Sequence, residues 1–432
     1  MSTETVFTYG APQLKFGAGA ADEIGYDVGQ FGATRVLVIT DAGVLATGAP
    51  ARVADSLRTY GMQVQVFSRV HVEPTDESIA EAVEHARDTG PWDAFVAVGG
   101  GSCIDTAKAV NLLTTCGGEL LDYVNPPVGA GQAPDRPLKP LIAVPTTAGT
   151  GAESTTVCVL DVLALKVKTG ISHARLRPVL AVVDPTLTHS LPAEVTAACG
   201  MDILCHALES YTARPFDARP RKKPAQRVPY CGSNPVADMW SERALGLLSS
   251  AFRRAVHHGH EDTPDARAAR HDMMLAATFA GLGFGNAGVH VPHANAYPIA
   301  GRVADLPEAF HPAGYPAGHP MVPHGMSVCL TAPEAFRFTF DTDPDRHVRA
   351  ATLLAPTLEA PDDPAEHLPL AVTHLMRDIG MPNGIGGVGF GEEDVDALVE
   401  GALKQQRLLD AAPRDVHAED LAGIFRRSVE NW

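Results

Sequence analysis

The sequence predicts a parallel α/β domain over residues 1–190 followed by an all-α domain over residues 191–432. Three observations carry that division. The chain has 432 residues, more than one hydrophobic core usually serves. Up to about Pro185, short apolar runs bounded by glycine, proline and threonine alternate with helical stretches. After "SLPAEV" (190–195) such runs almost vanish, and amphipathic segments such as "SERALGLLSSAFRRAVHH" (241–258) and "RHDMMLAATFAGLGF" (270–284) take over.

The strands are taken in order: "RVLVIT" (35–40), "MQVQVF" (62–67), "DAFVAVGGG" (93–101), "PLIAVPTT" (140–147) and "VLAVVDP" (179–185). Continuous Val/Ile/Ala runs of this length suit strands covered on both faces, as in a parallel sheet with helices on either side. Two segments in the second half read as loops: the basic, Pro-rich "RPFDARPRKKPAQR" (214–227) and the Pro/Gly-dense "DLPEAFHPAGYPAGHPMVP" (305–323). No internal repeat of fixed period is present.

Composition excludes several classes. Apolar residues make up 45% of the chain and charged residues 20%, as in a globular protein. A formal charge of −17 argues against nucleic acid and anionic membranes as partners, leaving a small-molecule substrate. Seven scattered cysteines with no C-x-x-C pair suggest neither a disulfide framework nor a thiolate zinc site. With no basic region and apolar run at the start, and no run approaching the roughly 20 apolar residues that span a bilayer, a reducing cytoplasm is the expected location.

"DAFVAVGGGSCIDTAKAV" (93–110) puts Gly99, Gly100 and Gly101 between a strand and a helix. Glycines there allow backbone N–H groups to approach a phosphate at a helix N-terminus, although they also suit a ligand-free turn. Ser102 is expected to cap the helix, with Asp105 reaching back as in a capping box. Asp41 closes the strand "RVLVIT" where a carboxylate can accept from a ribose hydroxyl. Thr146, Thr147 and Thr150 close another strand. All three stretches fall at carboxyl ends of strands, where open parallel sheets collect ligands, and a dinucleotide is the natural occupant.

"GMDILCHALES" (200–210) sets Asp202 and His206 four residues apart, so that they share one helical face. Downstream, "NAGVHVPHANAYPIAG" (286–301) and "VPHGMS" (322–327) add His290, His293 and His324 in an otherwise apolar half. One carboxylate and three imidazoles satisfy a divalent ion such as Fe²⁺ or Zn²⁺ with a position left for a substrate oxygen. "HHGH" (257–260), at a polar helix end, reads as a solvated terminus.

"GGGSCIDTAK", "VPTTAGTGAE", "GMDILCHALES" and "VPHG", in this order and spacing, resemble the iron-containing alcohol dehydrogenases from about Leu14 to Trp432. The resemblance implies a dehydroquinate-synthase-like fold: a Rossmann-like NAD-binding domain, then a helical metal-binding domain, with the metal in the cleft. By position it implies Asp202, His206, His293 and His324 as metal ligands and Gly99–Ser102 as the glycine loop. It further implies Asp41 as specificity acid, Thr146 and Thr147 as cofactor contacts, and Lys168 in "LKVKTGIS" as a cofactor-contacting lysine. His290 falls where the family usually carries glycine and is expected near the ligands, outside the set.

Two departures matter. A second histidine that the family carries four residues after the third ligand is Tyr297 here, and a phenol titrates far above an imidazole. Glu73, in "HVEPTDES", stands where many members have Asn. With "LLDYVNPPVGAG", "YCGSNPVADMW" and "FAGLGFGNAGVH", these departures resemble the hydroxyacid–oxoacid transhydrogenase branch. That branch implies oxidation of 4-hydroxybutyrate coupled to reduction of 2-oxoglutarate through retained NAD. Tyr297 and His290 are the expected proton carriers, and a homo-oligomer, a dimer, is the expected assembly. The alternatives are an ordinary NAD-dependent dehydrogenase of the same family that releases NADH, a lyase of the dehydroquinate synthase kind, and a non-catalytic NAD-binding protein.

Overall fold

The computed structural model describes residues 3–165, 167–315 and 320–432. These divide into two compact units, Gly10–Ser190 and a second made of Leu191–Trp432 with the N-terminal segment ending at Tyr9.

Among the described residues, the first unit contains β1 (Gln13–Phe16), α1 (Ile24–Gly29), β2 (Arg35–Ile39), α2 (Ala42–Ala46), α3 (Ala49–Thr59), β3 (Gln63–Phe67) and α4 (Asp76–Thr89). Then come β4 (Ala94–Gly99), α5 (Gly101–Cys116), α6 (Leu120–Tyr123), β5 (Leu141–Pro145), β6 (Val157–Val162), β7 (Val167–Ser172) and β8 (Leu180–Val183). Six strands pair in parallel in the order β1-β8-β5-β4-β2-β3, while β6 and β7 form a separate antiparallel pair. The continuous apolar runs follow from this covering of both faces. Val36, Val38, Val96, Val98, Ile142 and Val144 pack with Ile24, Val53 and Leu57 on one side. Their alternating neighbours Leu37, Ile39, Phe95, Ala97, Leu141 and Ala143 pack with Ile79, Ile104 and Val110 on the other. Each buried Val, Leu, Ile or Phe side chain among them contributes about 1.5–3 kcal/mol.

A buried ion pair borders that core. Lys108, on α5, is fully buried, and its ammonium donates to Asp105 Oδ1 at 3.1 Å, Thr155 Oγ1 at 2.9 Å and the Val157 carbonyl at 2.6 Å. Asp105 Oδ2 accepts from the Val159 N–H at 2.9 Å. The Lys108–Asp105 pair therefore fastens β6 to α5.

In the second unit α7 (Ala193–Thr212) is followed by α8 (Pro235–His258), α9 (Pro264–Ala287), α10 (Val291–Arg302) and α11 (His324–Cys329). Asn234 caps α8 and Thr263 caps α9, each followed by a proline that starts the helix. Every residue of α7 from Gly200 to Thr212 is buried, because α8, α9 and α11 pack around it. No single described helix is long and apolar enough to cross a membrane.

The expected boundary at 190 needs one correction. Residues 3–9 belong to the helical unit, because Thr3 bridges Pro220 and the buried Glu4 carboxylate accepts from Arg227 at 3.0 Å and from the Lys222 N–H at 3.1 Å. The same contacts order part of the basic loop 214–227, in which Arg214 pairs with Asp415 and Arg219 donates to the Asp410 carbonyl. Of the loop expected at 305–323, residues 316–319 lie outside the described residues.

Replacing Lys108 by methionine leaves Asp105 buried without its cation. Denaturant unfolding of that variant is expected to show a loss of about 3–5 kcal/mol.

Candidate functional site

Asp202 lies in the middle of α7, 1% exposed. Its Oδ1 is 3.5 Å from His206 Nε2, 3.5 Å from His293 Nε2 and 3.8 Å from His324 Nε2. These are poor hydrogen-bond lengths, and neither Asp202 Oδ1 nor His293 Nε2 has a hydrogen-bond partner among the described residues. They are good spacings for donors around one ion: ligands at about 2.1 Å along tetrahedral directions stand about 3.4 Å apart. The ligand atoms of Asp202, His293 and His324 lie within 4.8 Å of one another. His206 reaches Asp202 but does not fall within that mutual span; its ring is stacked on Phe284 at 3.8 Å and lies 4.8 Å from the His293 ring.

The local sequence explains how these helices come so close. A Cβ on Gly325, the residue after His324, would lie 2.7 Å from Asp202 Cβ and would strike the Ala198 carbonyl. A Cβ on Gly200 would strike the Phe252 ring and approach Met273 Cε at 2.9 Å. The glycines of "GMD" and "PHG" thus let α11, α8 and α9 pack directly on α7. His293 stands in the first turn of α10, its side chain 4% exposed, whereas the His324 side chain is 28% exposed. The opening of the donor cluster is therefore on the His324 side, where the half-buried Tyr297 ring stacks on His324 at 6.2 Å.

Electrostatics follow from burial. Burial opposes ionisation of Asp202, yet the imidazoles of His206, His324 and His293 hold its carboxyl well below the usual carboxylate range. Burial pushes His206 down to about 3, against the attraction of Asp202. Burial also opposes charge on His293, but Glu209 and Asp202 outweigh it and raise that imidazole to about 9. Acids that raise affinity for a proton also raise affinity for a metal cation, so the donor set fits a divalent ion.

The sequence reading missed Glu209. It lies seven residues after Asp202, on the same face of α7, and is fully buried. Its Oε1 accepts from His293 Nδ1 at 2.6 Å and its Oε2 accepts from the His290 N–H at 2.6 Å. His290, expected beside the ligands, is not brought among the clustered donors. Its Nε2 meets Thr212 Oγ1 at 3.0 Å, its ring packs edge-on against Phe336, and burial pushes it down to about 4. In "HHGH", His257 bonds to the Asp378 carbonyl and His258 to Glu261 at an exposed helix end, as expected of a solvated terminus.

The first unit gathers the other predicted residues at one sheet edge. β5, β4 and β2 are neighbours, with Gly99 paired to Pro145 and Ile39 to Ala97, so Asp41, the glycines and the threonines all follow adjacent strand ends. The Thr146 N–H donates to the Gly99 carbonyl, and Cys103 Sγ donates to Asp41 Oδ2 at 3.2 Å. A Cβ on Gly101 would come within 2.9 Å of Thr150 Cγ2, and one on Gly100 within 3.3 Å of Thr147 Oγ1. Glycine keeps this cradle open.

The expected capping box is not formed. Gly100 is the N-cap of α5 and no side chain caps it. Ser102 Oγ instead accepts from the Glu73 N–H at 3.1 Å, and Asp105 is engaged by Lys108 and Val159. The Cys103 and Ile104 N–H groups donate to the Gly100 carbonyl, and no side chain caps the first turn of α5. Lys168 is held by Glu73 at 2.7 Å and Asp161 at 2.8 Å. Burial opposes its charge, but these carboxylates keep the ammonium above the ordinary lysine value. Glu73 takes φ 59°, the left-handed region in which Asn is far easier to place.

Residues 11–185 match the family model for iron-containing alcohol dehydrogenase, and residues 229–429 match that for the C-terminal part of the Fe-containing alcohol dehydrogenase family. The chain is 43% identical over 433 residues to a Xenopus tropicalis protein named hydroxyacid-oxoacid transhydrogenase, mitochondrial, covering 99% of this chain and 91% of that protein. Among solved structures it is similar to 1,3-propanediol oxidoreductase, with TM-score 0.83, 30% identity and coverage of 98% and 100%. It is also similar to sulfoacetaldehyde reductase from Bifidobacterium kashiwanohense in complex with NAD⁺, with TM-score 0.78, 25% identity and coverage of 98% and 99%.

The expected cytoplasmic location is overturned, because the curated relatives are named as mitochondrial proteins. The scattered cysteines that suggested a reducing compartment do not single out the cytoplasm.

Gly325→Ala forces a methyl group against the Ala198 carbonyl and Asp202. Its expected cost is about 1–3 kcal/mol, read as a lower melting temperature, with weaker metal uptake because His324 is pushed off Asp202.

Proposed function

The chain belongs to the iron-containing alcohol dehydrogenase family, and on that premise we propose that it transfers hydride from a hydroxyacid to an oxoacid through a retained NAD. The hydroxyacid in this reading is 4-hydroxybutyrate and the oxoacid 2-oxoglutarate. The observation that carries the proposal is near-full-length 43% identity to a protein named for this reaction, in a chain that also keeps a buried Asp–His donor cluster.

In this reading Asp202, His206, His293 and His324 hold one divalent ion, Fe²⁺ by family and Zn²⁺ by ligand chemistry. When bound, the ion supplies Lewis-acid polarisation of the substrate oxygen and the nicotinamide supplies hydride exchange. The residues do the rest. Asp202 is the one carboxylate among four donors, so a bound divalent ion keeps net positive charge for an anionic substrate oxygen. Phe284, stacked on His206, dries that side of the cluster. Tyr297, on the open side beside His324, moves the proton at its phenolic oxygen. His290 loses its expected proton role here, because its ring is fully buried against Thr212 and Phe336.

For the dinucleotide, the uncapped start of α5 and Gly99–Ser102 take the pyrophosphate, while Thr146, Thr147 and Thr150 bond its phosphates and ribose. Asp41 accepts from a ribose hydroxyl and repels a 2′-phosphate, which favours NAD over NADP. Lys168 is the cofactor-contacting lysine, poised by Glu73 and Asp161.

Purified protein given 4-hydroxybutyrate and 2-oxoglutarate is expected to form succinic semialdehyde and 2-hydroxyglutarate without added NAD⁺. Turnover that requires stoichiometric free NAD⁺ and no oxoacid would instead assign an ordinary dehydrogenase. Tyr297→Phe is expected to keep metal content while kcat falls by about 100-fold or more; unchanged kcat removes the phenol from the proton path.

A further inference from the structure

We infer that Glu209 is the positioning residue of the metal site: it fixes His293 with Nε2 turned to the ion and, through the same carboxylate, anchors the start of α10 on α7. The inference rests on the proposed metal reading. A fully buried carboxylate needs partners for both oxygens, and Glu209 has them on each, with a longer contact from the His293 N–H to Oε2 at 3.4 Å. Oε1 accepts from His293 Nδ1 at 2.6 Å, which leaves Nε2 as the ring's only free donor atom toward Asp202 Oδ1, 3.5 Å away. Oε2 accepts from the His290 N–H at 2.6 Å, at the first residue before α10. The His290 side chain does not cap that helix, so the Glu209 charge also takes the place of a cap at its positive end. A carboxylate behind a metal-bound imidazole makes the ring a stronger donor, and loss of such a partner costs about 10–100-fold in metal affinity.

Glu209→Gln preserves size but has a single acceptor oxygen, so it cannot serve both N–H groups. The metal-free protein is titrated with Co²⁺, with the folded fraction measured by far-UV circular dichroism. Glu209→Gln is expected to bind Co²⁺ 10–100-fold more weakly than the native chain per folded molecule, with shifted visible absorption bands. Equal affinity with unchanged bands overturns the inference, as does a loss of affinity that only tracks unfolding. Should the Gln variant not fold, Glu209→Asp, one methylene short of His293, is expected to weaken Co²⁺ binding, and native affinity there overturns the inference equally. A native chain that takes up no Co²⁺ refutes the metal reading itself, whereas native uptake matched by Glu209→Gln refutes only the role of Glu209.

Discussion

The second unit is organised around a buried carboxylate, Asp202, whose Oδ1 has no hydrogen-bond partner among the described residues. Asp202 sits in a buried stretch of α7, and moving a carboxylate into such surroundings costs several kcal/mol unless positive charge stands beside it. Three imidazoles face it at distances too long for good hydrogen bonds, and Glu209, a second buried acid, stands behind one of them. Asp202 and Glu209, both buried, need positive charge beside them, and they draw it as a proton on His293 or as a cation among the donors. The spacing of Asp202, His293 and His324 fits donors around one ion.

That demand explains otherwise odd choices nearby. Glycines at 200 and 325 remove side chains where α7 meets its neighbours, at some cost in helix propensity, because the donors must converge within a few ångströms. In the first unit the same economy of side chains recurs for a different reason. Gly99–Gly101 and the threonines of 146–150 crowd one sheet edge, leaving room for a ligand but not for a Cβ, and α5 starts without a cap. In the proposed reading the donor cluster of the second unit holds a cation and the glycine turn of the first holds a phosphate.

Much of this was legible in the sequence. The five apolar runs became β2, β3, β4, β5 and β8, because strands covered on both faces alternate between two apolar layers and leave no polar periodicity to obscure them. β1 was missed because "QLKF" is a short, partly exposed edge strand, and β6–β7 because the pair lies outside the main sheet. Asp202, His293 and His324 were readable from residue type and motif. Glu209 was not, since its role depends on a turn of α10 brought against α7 from more than eighty positions away. Ser102 and Asp105 were misassigned for a related reason: local spacing fitted a capping box, but Glu73 and Lys108 offered better partners from other elements.

The most direct measurement is anomalous diffraction at the metal absorption edge from crystals of the iron- or zinc-loaded protein. The account requires one peak lying about 2.0–2.2 Å from Asp202 Oδ1 and from Nε2 of His206, His293 and His324. No peak between those four side chains, or a peak whose ligands lie elsewhere in the chain, would contradict it.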